Sequence, residues 1–578
     1  MSAASTLSRA LLLLPALSGP ALASGPILTF TGSTANDRLG TTLARAGDVT
    51  GDGVSEILVG SSLRTTANNS DGSVAVFDGA SGLKLWETNG NGYQAQMGTS
   101  AVELGDVSGD GIPDVAVGAP GQYNPSNAPT GMVAAVSGAW IRNQSGLQFV
   151  WKQYGLVAQD LFGTSVANCG DLDGDGRPEL AVGAPGVDIT GKSNVGRVYV
   201  LSGATGAVLY SYDGQAAFQN AGDQLGLSLC TVNDLSGDAR KDLVVGIPYD
   251  DSNNADAGAA HVVALGAGSA TYLGAVYGTG AGDHFGWVAS GSTDLDGDGK
   301  GDFAVSAPLN DFSFTDAGRV YVYSGATRAL LFAVAGEQAG CQSGSALSFD
   351  GDLNWDGYPD LAIGARLHDV VGPQRGRVTL VSGHERLVMQ RIDGTNNYDQ
   401  LGYAVKILGG IDADPGAELG VGVPYFDVTG ANDAGRVQIW GGADFSAYSF
   451  CTAATNSTGS AALISSTGSL STAAGSFTLV TSGCPANKTA RYFYGPTATG
   501  PVLFGNGWRC IGSPFYRLPL LTTSATGVGS FTLDFNALPP SGPIFPGTSE
   551  NFQLWYRDPS AGGANFNSSN ALNVTFRP

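Results

Sequence analysis

The residues most able to do chemistry lie in seven acidic loops that begin at Asp48, Asp106, Asp171, Asp234, Asp294, Asp352 and Gly410. Their common pattern is Asp-x-(Asp/Asn/Ser/Thr)-x-Asp-Gly-x-x-(Asp/Glu). It offers side-chain oxygens at positions 1, 3, 5 and 9 and a main-chain carbonyl at position 7. An oxygen-only set of this kind suits a hard cation, calcium above all, which takes irregular geometry with six to eight ligands. Glycine at position 6 allows the sharp turn that wraps the ion. Asp171, Asp173, Asp175 and Glu179 bring four carboxylates, as do Asp294, Asp296, Asp298 and Asp302. Asp48, Thr50, Asp52 and Glu56 bring three and a hydroxyl, and so do Asp106, Ser108, Asp110 and Asp114. Asp352, Asn354, Asp356 and Asp360 bring three and an amide. Asp234, Ser236, Asp238 and Asp242 have the oxygens, but Ala239 stands at the turn. The seventh loop has Gly410 at position 1 and Pro415 at position 6, leaving Asp412, Asp414 and Glu418. Calcium is therefore expected in about five or six loops.

Helix-flanked calcium loops need a carboxylate at position 12. Here that position holds Val59, Val117, Val182, Val245, Val305, Ile363 and Val421, all apolar. A catalytic constellation is not evident. The histidines His261, His284, His368 and His384 lie in different units without paired spacing. His261 stands where a neighbouring unit has the Tyr of Val-Tyr-Val, so it is expected to be a packed strand residue. The sequence lacks Gly-x-Ser-x-Gly, His-Glu-x-x-His and a phosphate loop. No catalytic residue is assigned.

The loops recur at spacings of 58, 65, 63, 60, 58 and 58 residues. A fixed period of this size signals a repeat architecture. After each loop apolar residues alternate, as in Ile57 and Val59, Leu180 and Val182, or Leu419 and Val421, which predicts a strand. Runs such as Gly196–Val200 and Ala207–Tyr210 add two more strands, and the segment from Phe162-Gly163 to the loop adds a fourth. Four short strands per unit with glycine-rich turns make a propeller blade. An all-β, seven-bladed propeller over 27–446 follows. The run Ile27–Phe30 is expected to complete the seventh blade, which removes free sheet edges. From about Cys451 the composition turns to Ser, Thr, Ala and Gly, with alternations such as Phe552–Tyr556. Residues 450–578 are expected to form a small β-sandwich-like C-terminal domain.

The formal net charge is −22, and 23 of the 50 acidic residues sit in the seven loops. The acidic excess argues against nucleic acid as a partner. Arg9, an apolar run broken by Pro15 and Pro20, and Ala21-Leu22-Ala23 predict an export signal over 1–23. No stretch of eighteen apolar residues predicts membrane insertion. The six cysteines include no C-x-x-C pair. Cys169 and Cys230 are expected to be buried thiols, and three cysteines in the last 130 residues leave at least one that is unpaired there or reaches outside that segment.

The combination of Phe-Gly or Leu-Gly, an acidic loop and Gly-Ala-Pro, as in Gly118-Ala119-Pro120 and Gly183-Ala184-Pro185, resembles the FG-GAP repeats of the integrin α-subunit propeller. The resemblance implies calcium in the loops of one face and ligand contact through loops of the other. On that other face Tyr123, Tyr249, Phe312, Phe314 and Tyr425 lie in long variable segments. They suit either stacking on a ligand or packing of the rim. The expectation is a secreted, monomeric, calcium-binding adhesion module for an extracellular protein or glycan. The alternative is an extracellular carbohydrate-active or phospholipase-type enzyme built on such a propeller.

Overall fold

The computed structural model describes residues 25–577 except 66–69, 93, 145, 147, 215–219 and 412–415. The proposed export signal therefore lies outside the described residues, as do Asp412 and Asp414.

Seven four-stranded antiparallel sheets follow one another around a ring. Blade 3 is typical: Ser165–Gly170 innermost, then Glu179–Ala184, Arg197–Leu201 and Val208–Tyr212 outermost. Blade 7 is built from both ends of the repeat region. Its first three strands are Ala404–Leu408, Glu418–Val423 and Arg436–Trp440. Leu28–Thr31 supplies the fourth, with Leu28 opposite Ile439 and Phe30 opposite Val437. The innermost strand of blade 7 lies beside that of blade 1, Thr42–Gly47, so the ring is closed. The innermost strands surround a cavity of about 620 Å³.

The alternation along the second strands has a different cause from the usual inside–outside division. Glu56–Gly60 is buried at every residue. Ile57 and Val59 pack with Phe30, Ala404 and Val437 at the blade 7 interface. Leu58 packs with Val74, Val76, Val115 and Val117 at the blade 2 interface. Each blade is thus a sheet with a core on both faces, and period two sorts residues between two neighbours.

The glycines of the repeat make that stacking possible. A Cβ on Gly118, Gly183 or Gly246 would stand 2.0–2.1 Å from the carbonyl oxygen of Gly163, Gly226 or Gly286 in the next blade. The same contact, at 2.0 Å, joins Gly422 to Gly40 where the ring closes. Beside it, Ser165 Oγ donates to the Gly226 carbonyl at 2.7 Å and Ser228 Oγ to that of Gly286 at 2.9 Å. Only a residue without a side chain tolerates so close a backbone approach.

Short helical segments interrupt the β structure, among them 3-10 turns at Gly442–Phe445, Phe535–Ala537 and Pro559–Ala561. Blade 2 replaces its outer turn with a six-residue helix, Gly138–Asn143, capped by Ser137.

After the ring comes a five-stranded sheet containing Ala447–Phe450, Thr489–Gly495, Tyr516–Thr522, Ser549–Arg557 and Phe566–Thr575. A three-stranded sheet of Leu463–Thr467, Thr478–Ser482 and Gly529–Thr532 packs on it. Ile464, Phe477 and Leu479 meet Tyr492, Phe552, Tyr556 and Phe576 in one core, which makes a β-sandwich. Cys451 and Cys510 form a disulfide. Ser446 Oγ donates to the carbonyl of Asn354, tying the sandwich to blade 6.

Candidate metal loops

Each acidic loop joins the first and second strands of its blade, so the loops share one face of the ring. Antiparallel pairing places the Phe-Gly segment and the loop after Gly-Ala-Pro on the opposite face.

The loops are shaped by backbone donors. Asp171 Oδ1 accepts from Gly174 N at 2.7 Å and Oδ2 from Gly176 N at 2.9 Å. Asp48 repeats this with Gly51 N at 2.6 Å and Gly53 N at 2.9 Å. Asp352 Oδ2 takes Gly357 N at 2.7 Å. The fourth loop keeps the pattern despite Ala239, which adopts φ +68° and donates to Asp234 Oδ2 at 2.9 Å. That residue accepts left-handed backbone strain where its neighbours have glycine.

The position-9 carboxylates root the loops in the core. Glu56, Asp114, Glu179, Asp242, Asp302, Asp360 and Glu418 are all buried. Each accepts from the backbone N–H of its position 2: Val49 at 2.5 Å, Leu172 at 2.6 Å, Leu235 at 2.7 Å, Leu295 at 2.8 Å, Leu353 at 2.9 Å, Val107 at 3.0 Å and Ile411 at 3.3 Å. Where the residue is Asp, its other oxygen reaches the end of the third strand or the first residues beyond it. Asp114, Asp302, Asp360 and Asp242 accept there from Gly138, Gly325, Gly383 and Leu265, at 2.8 to 3.2 Å.

Three loops bring their carboxylates together. Ligand oxygens of Asp48, Asp52 and Glu56, of Asp171, Asp173 and Glu179, and of Asp294, Asp296 and Asp302 lie within 4.8 Å of one another. Asp175 and Asp298 instead accept from Arg177 N at 2.8 Å and Lys300 N at 2.9 Å. Among the described residues the loops of blades 2, 4 and 6 make no such three-carboxylate group. Their position-3 side chains are hydrogen-bonded within the loop. Ser108 Oγ donates to Asp106 at 3.3 Å, Ser236 Oγ to Asp234 at 3.4 Å and Asn354 Nδ2 to Asp356 at 3.1 Å. In the first loop Thr50 Oγ1 donates to Glu56 Oε1 at 2.8 Å.

The electrostatics divide by depth. Burial is the main cause that pushes Glu56, Asp114, Glu179 and Asp242 above the usual carboxylate range. Burial raises Asp302 to about 6, and Asp352 likewise to about 6 with Asp356 adding repulsion. At the exposed end of the loop, burial opposes ionisation of Asp106 and Asp234 but the loop N–H groups outweigh it, so both are held low. The residues fit a hard cation. Glu179 Oε1 is buried beside Asp171 and Asp173 and has no hydrogen-bond partner. A cation there would supply the charge that burial removes from water.

A set of residues invisible to motif matching links neighbouring loops. The Arg177 guanidinium lies against Gly109 of the preceding loop. Arg240 Nε donates to the Leu172 carbonyl at 3.1 Å, and Lys300 Nζ stands 3.8 Å from Asp234. All three occupy position 7, so a basic residue there in three consecutive loops was the available signal.

On the opposite face the aromatic residues divide. Phe312 and Phe314 are 56% and 52% exposed, with the Arg319 guanidinium 3.8 Å from the Phe312 ring centre. Tyr123, Tyr249 and Tyr425 are half-buried, and Tyr249 packs on His284 at 4.7 Å between ring centres. His261 is buried in its strand, 3.0 Å from the Tyr212 hydroxyl. Burial lowers its pKa to about 4 and keeps it neutral.

The FG-GAP repeat model matches residues 98–136, 162–201 and 285–323, which lie in blades 2, 3 and 5. Integrin alpha-4 of Xenopus laevis is 33% identical over 24% of this chain and 14% of its own length. Integrin alpha-V of Gallus gallus is 31% identical over 35% of this chain and 19% of its own. Phosphatidylinositol-glycan-specific phospholipase D of Bos taurus is 33% identical over 26% of this chain and 18% of its own. The chain thus spans less than a fifth of the length of these relatives. The closed ring of seven four-stranded blades, together with these matches, shows a chain that carries FG-GAP repeats and resembles the propellers of integrin α-subunits.

Proposed function

We propose that this protein is a secreted, calcium-binding propeller that acts without catalysis as an adhesion module for an extracellular protein or glycan. The buried, unpartnered Glu179 Oε1 beside Asp171 and Asp173 carries the metal part of this reading. Residues 1–23 serve as the export signal, 27–446 as the propeller domain and 450–578 as the C-terminal domain. Calcium sits in the loops of blades 1, 3 and 5 first, held by Asp48, Asp52 and Glu56, by Asp171, Asp173 and Glu179, and by Asp294, Asp296 and Asp302. The loops of blades 2, 4 and 6 fill after side-chain rearrangement at position 3.

Ligand contact falls to the opposite face. Phe312 and Phe314 present apolar rings to solvent, and such aromatic anchors dominate binding surfaces when a partner covers them. The test is an array of glycans and surface proteins probed with the secreted chain and with a Phe312→Ala, Phe314→Ala double variant. Binding that the double variant loses supports the reading. Turnover of a polysaccharide or a phospholipid by the purified chain would replace it with the enzymatic alternative.

A further inference from the structure

The face opposite the acidic loops repeats a second pairing. In blades 1 and 5 the residue two before the Leu-Gly or Phe-Gly pair meets the residue four after the first position of the Gly-Ala-Pro segment. In blade 1 these are Asp37 and Arg64, with Arg64 Nε 3.2 Å from Asp37 Oδ1. In blade 5 they are Asp283 and Asn310, with Asn310 Nδ2 donating to Asp283 Oδ2 at 2.6 Å. An acid meets a cation in one and an amide donor in the other.

Blade 4 has Asp223 and Asp250 at these positions, and the surrounding bonds match those of blade 5. Asp250 Oδ1 accepts from Ser252 N at 2.9 Å as Asn310 Oδ1 accepts from Phe312 N at 3.0 Å. Asp223 Oδ2 accepts from Asn220 N at 2.6 Å as Asp283 Oδ2 accepts from Gly280 N at 3.1 Å. Asp250 Oδ2 therefore takes the place of the donating Asn310 nitrogen. An oxygen is set against an acid where blade 5 has an N–H. Asp223 and Asp250 are 2% and 1% exposed, and Asp223 Oδ1 and Asp250 Oδ2 are both buried without a hydrogen-bond partner. Two buried carboxylates facing each other repel unless a positive group joins them.

We propose that Asp223 and Asp250 hold a calcium ion on the face opposite the acidic loops, at the root of the segment that follows Tyr249. The ion takes the part that Arg64 plays in blade 1. Two carboxylates balance a divalent charge, and oxygen ligands suit calcium. Other charged groups near the pair are Asp251, whose Oδ1 accepts from Asp256 N at 2.7 Å, and the exposed Lys192.

Asp250→Asn rebuilds the self-satisfied pair of blade 5. Calcium bound per full chain, measured by elemental analysis after equilibrium dialysis, is expected to fall by one in this variant. In chelator the same variant is expected to melt above the wild type. Asp223→Asn is the second variant and is expected to lose the same single ion. An unchanged calcium count in both variants would overturn the proposal, because a shared proton or the Lys192 ammonium would then balance the pair.

Discussion

Gly183 lies against the carbonyl of Gly226 in the next blade, so closely that a Cβ on Gly183 would stand 2.0 Å from that oxygen. Neither the carbonyl nor its blade has room to yield in a closed ring. Gly183→Ala is expected to cost about 1–3 kcal/mol, the range for overpacking. Urea denaturation checks this, and a midpoint equal to that of the wild type would remove the glycine contact as the reason for the repeat's spelling.

The ring closes through a strand from the far end of the repeat region. Phe30 is 3% exposed and stacks on Phe77 at 4.4 Å between ring centres. Phe30→Ala is expected to cost about 3–5 kcal/mol. Hydrogen exchange should then rise first in Arg436–Trp440, the partner of Leu28–Thr31. Exchange that rises uniformly through all blades would contradict a local closure.

A carboxyl pair sets the pH response between the propeller and the sandwich. Glu550 is 6% exposed and is pushed up to about 7, by burial first and by Glu385 second. Glu385 is also raised to about 7, chiefly by burial. A carboxyl raised in the folded state binds its proton more tightly there than in the unfolded chain. Its ionisation therefore weakens folding as pH climbs from about 4.5 to about 7. Glu550→Gln is expected to gain on the order of 2 kcal/mol at pH 8 and nothing at pH 4. Melting curves across that range decide the point, and a gain equal at both pH values would contradict it.

Two unpaired thiols should be inert, whereas Cys230, expected to be buried, is half-buried and lines the central cavity. Cys169 and Cys484 are buried, and burial raises each to about 12. Thiolate supply controls thiol reactivity. In the native protein both are expected to resist a disulfide reagent that labels them within minutes after denaturation. Rapid native labelling at either residue, read by peptide mass, would show an opening absent from this structure.

The repeat was the legible part of the sequence because one spacing wrote the same four strands seven times. Leu28–Thr31 was equally legible, since its place is fixed by what the last unit lacks. The meaning of the alternation was not. Ile57 and Leu58 are both buried, and only the stacking of blades assigns them to different neighbours. The acidic loops were legible as motifs but not as sites. Carboxylate convergence does not follow from position 3 alone: Asp173 joins its group as an acid, whereas of the loops with a hydroxyl there, the first (Thr50) converges through Asp52 and the second (Ser108) does not. Asp223 and Asp250 lie 27 positions apart in unlike segments, so no local pattern joins them. The helix Gly138–Asn143 is too short for its period to stand out against a strand background.

Calcium occupancy is the claim on which the functional account rests most directly. Differential scanning calorimetry of the purified chain, in saturating calcium and then in excess chelator, measures it. The account predicts a clear drop in melting temperature on chelation, restored by calcium, because ligands that bind only the folded state stabilise it. A Glu179→Gln chain should show a smaller drop. Identical melting curves with calcium and with chelator would contradict the account.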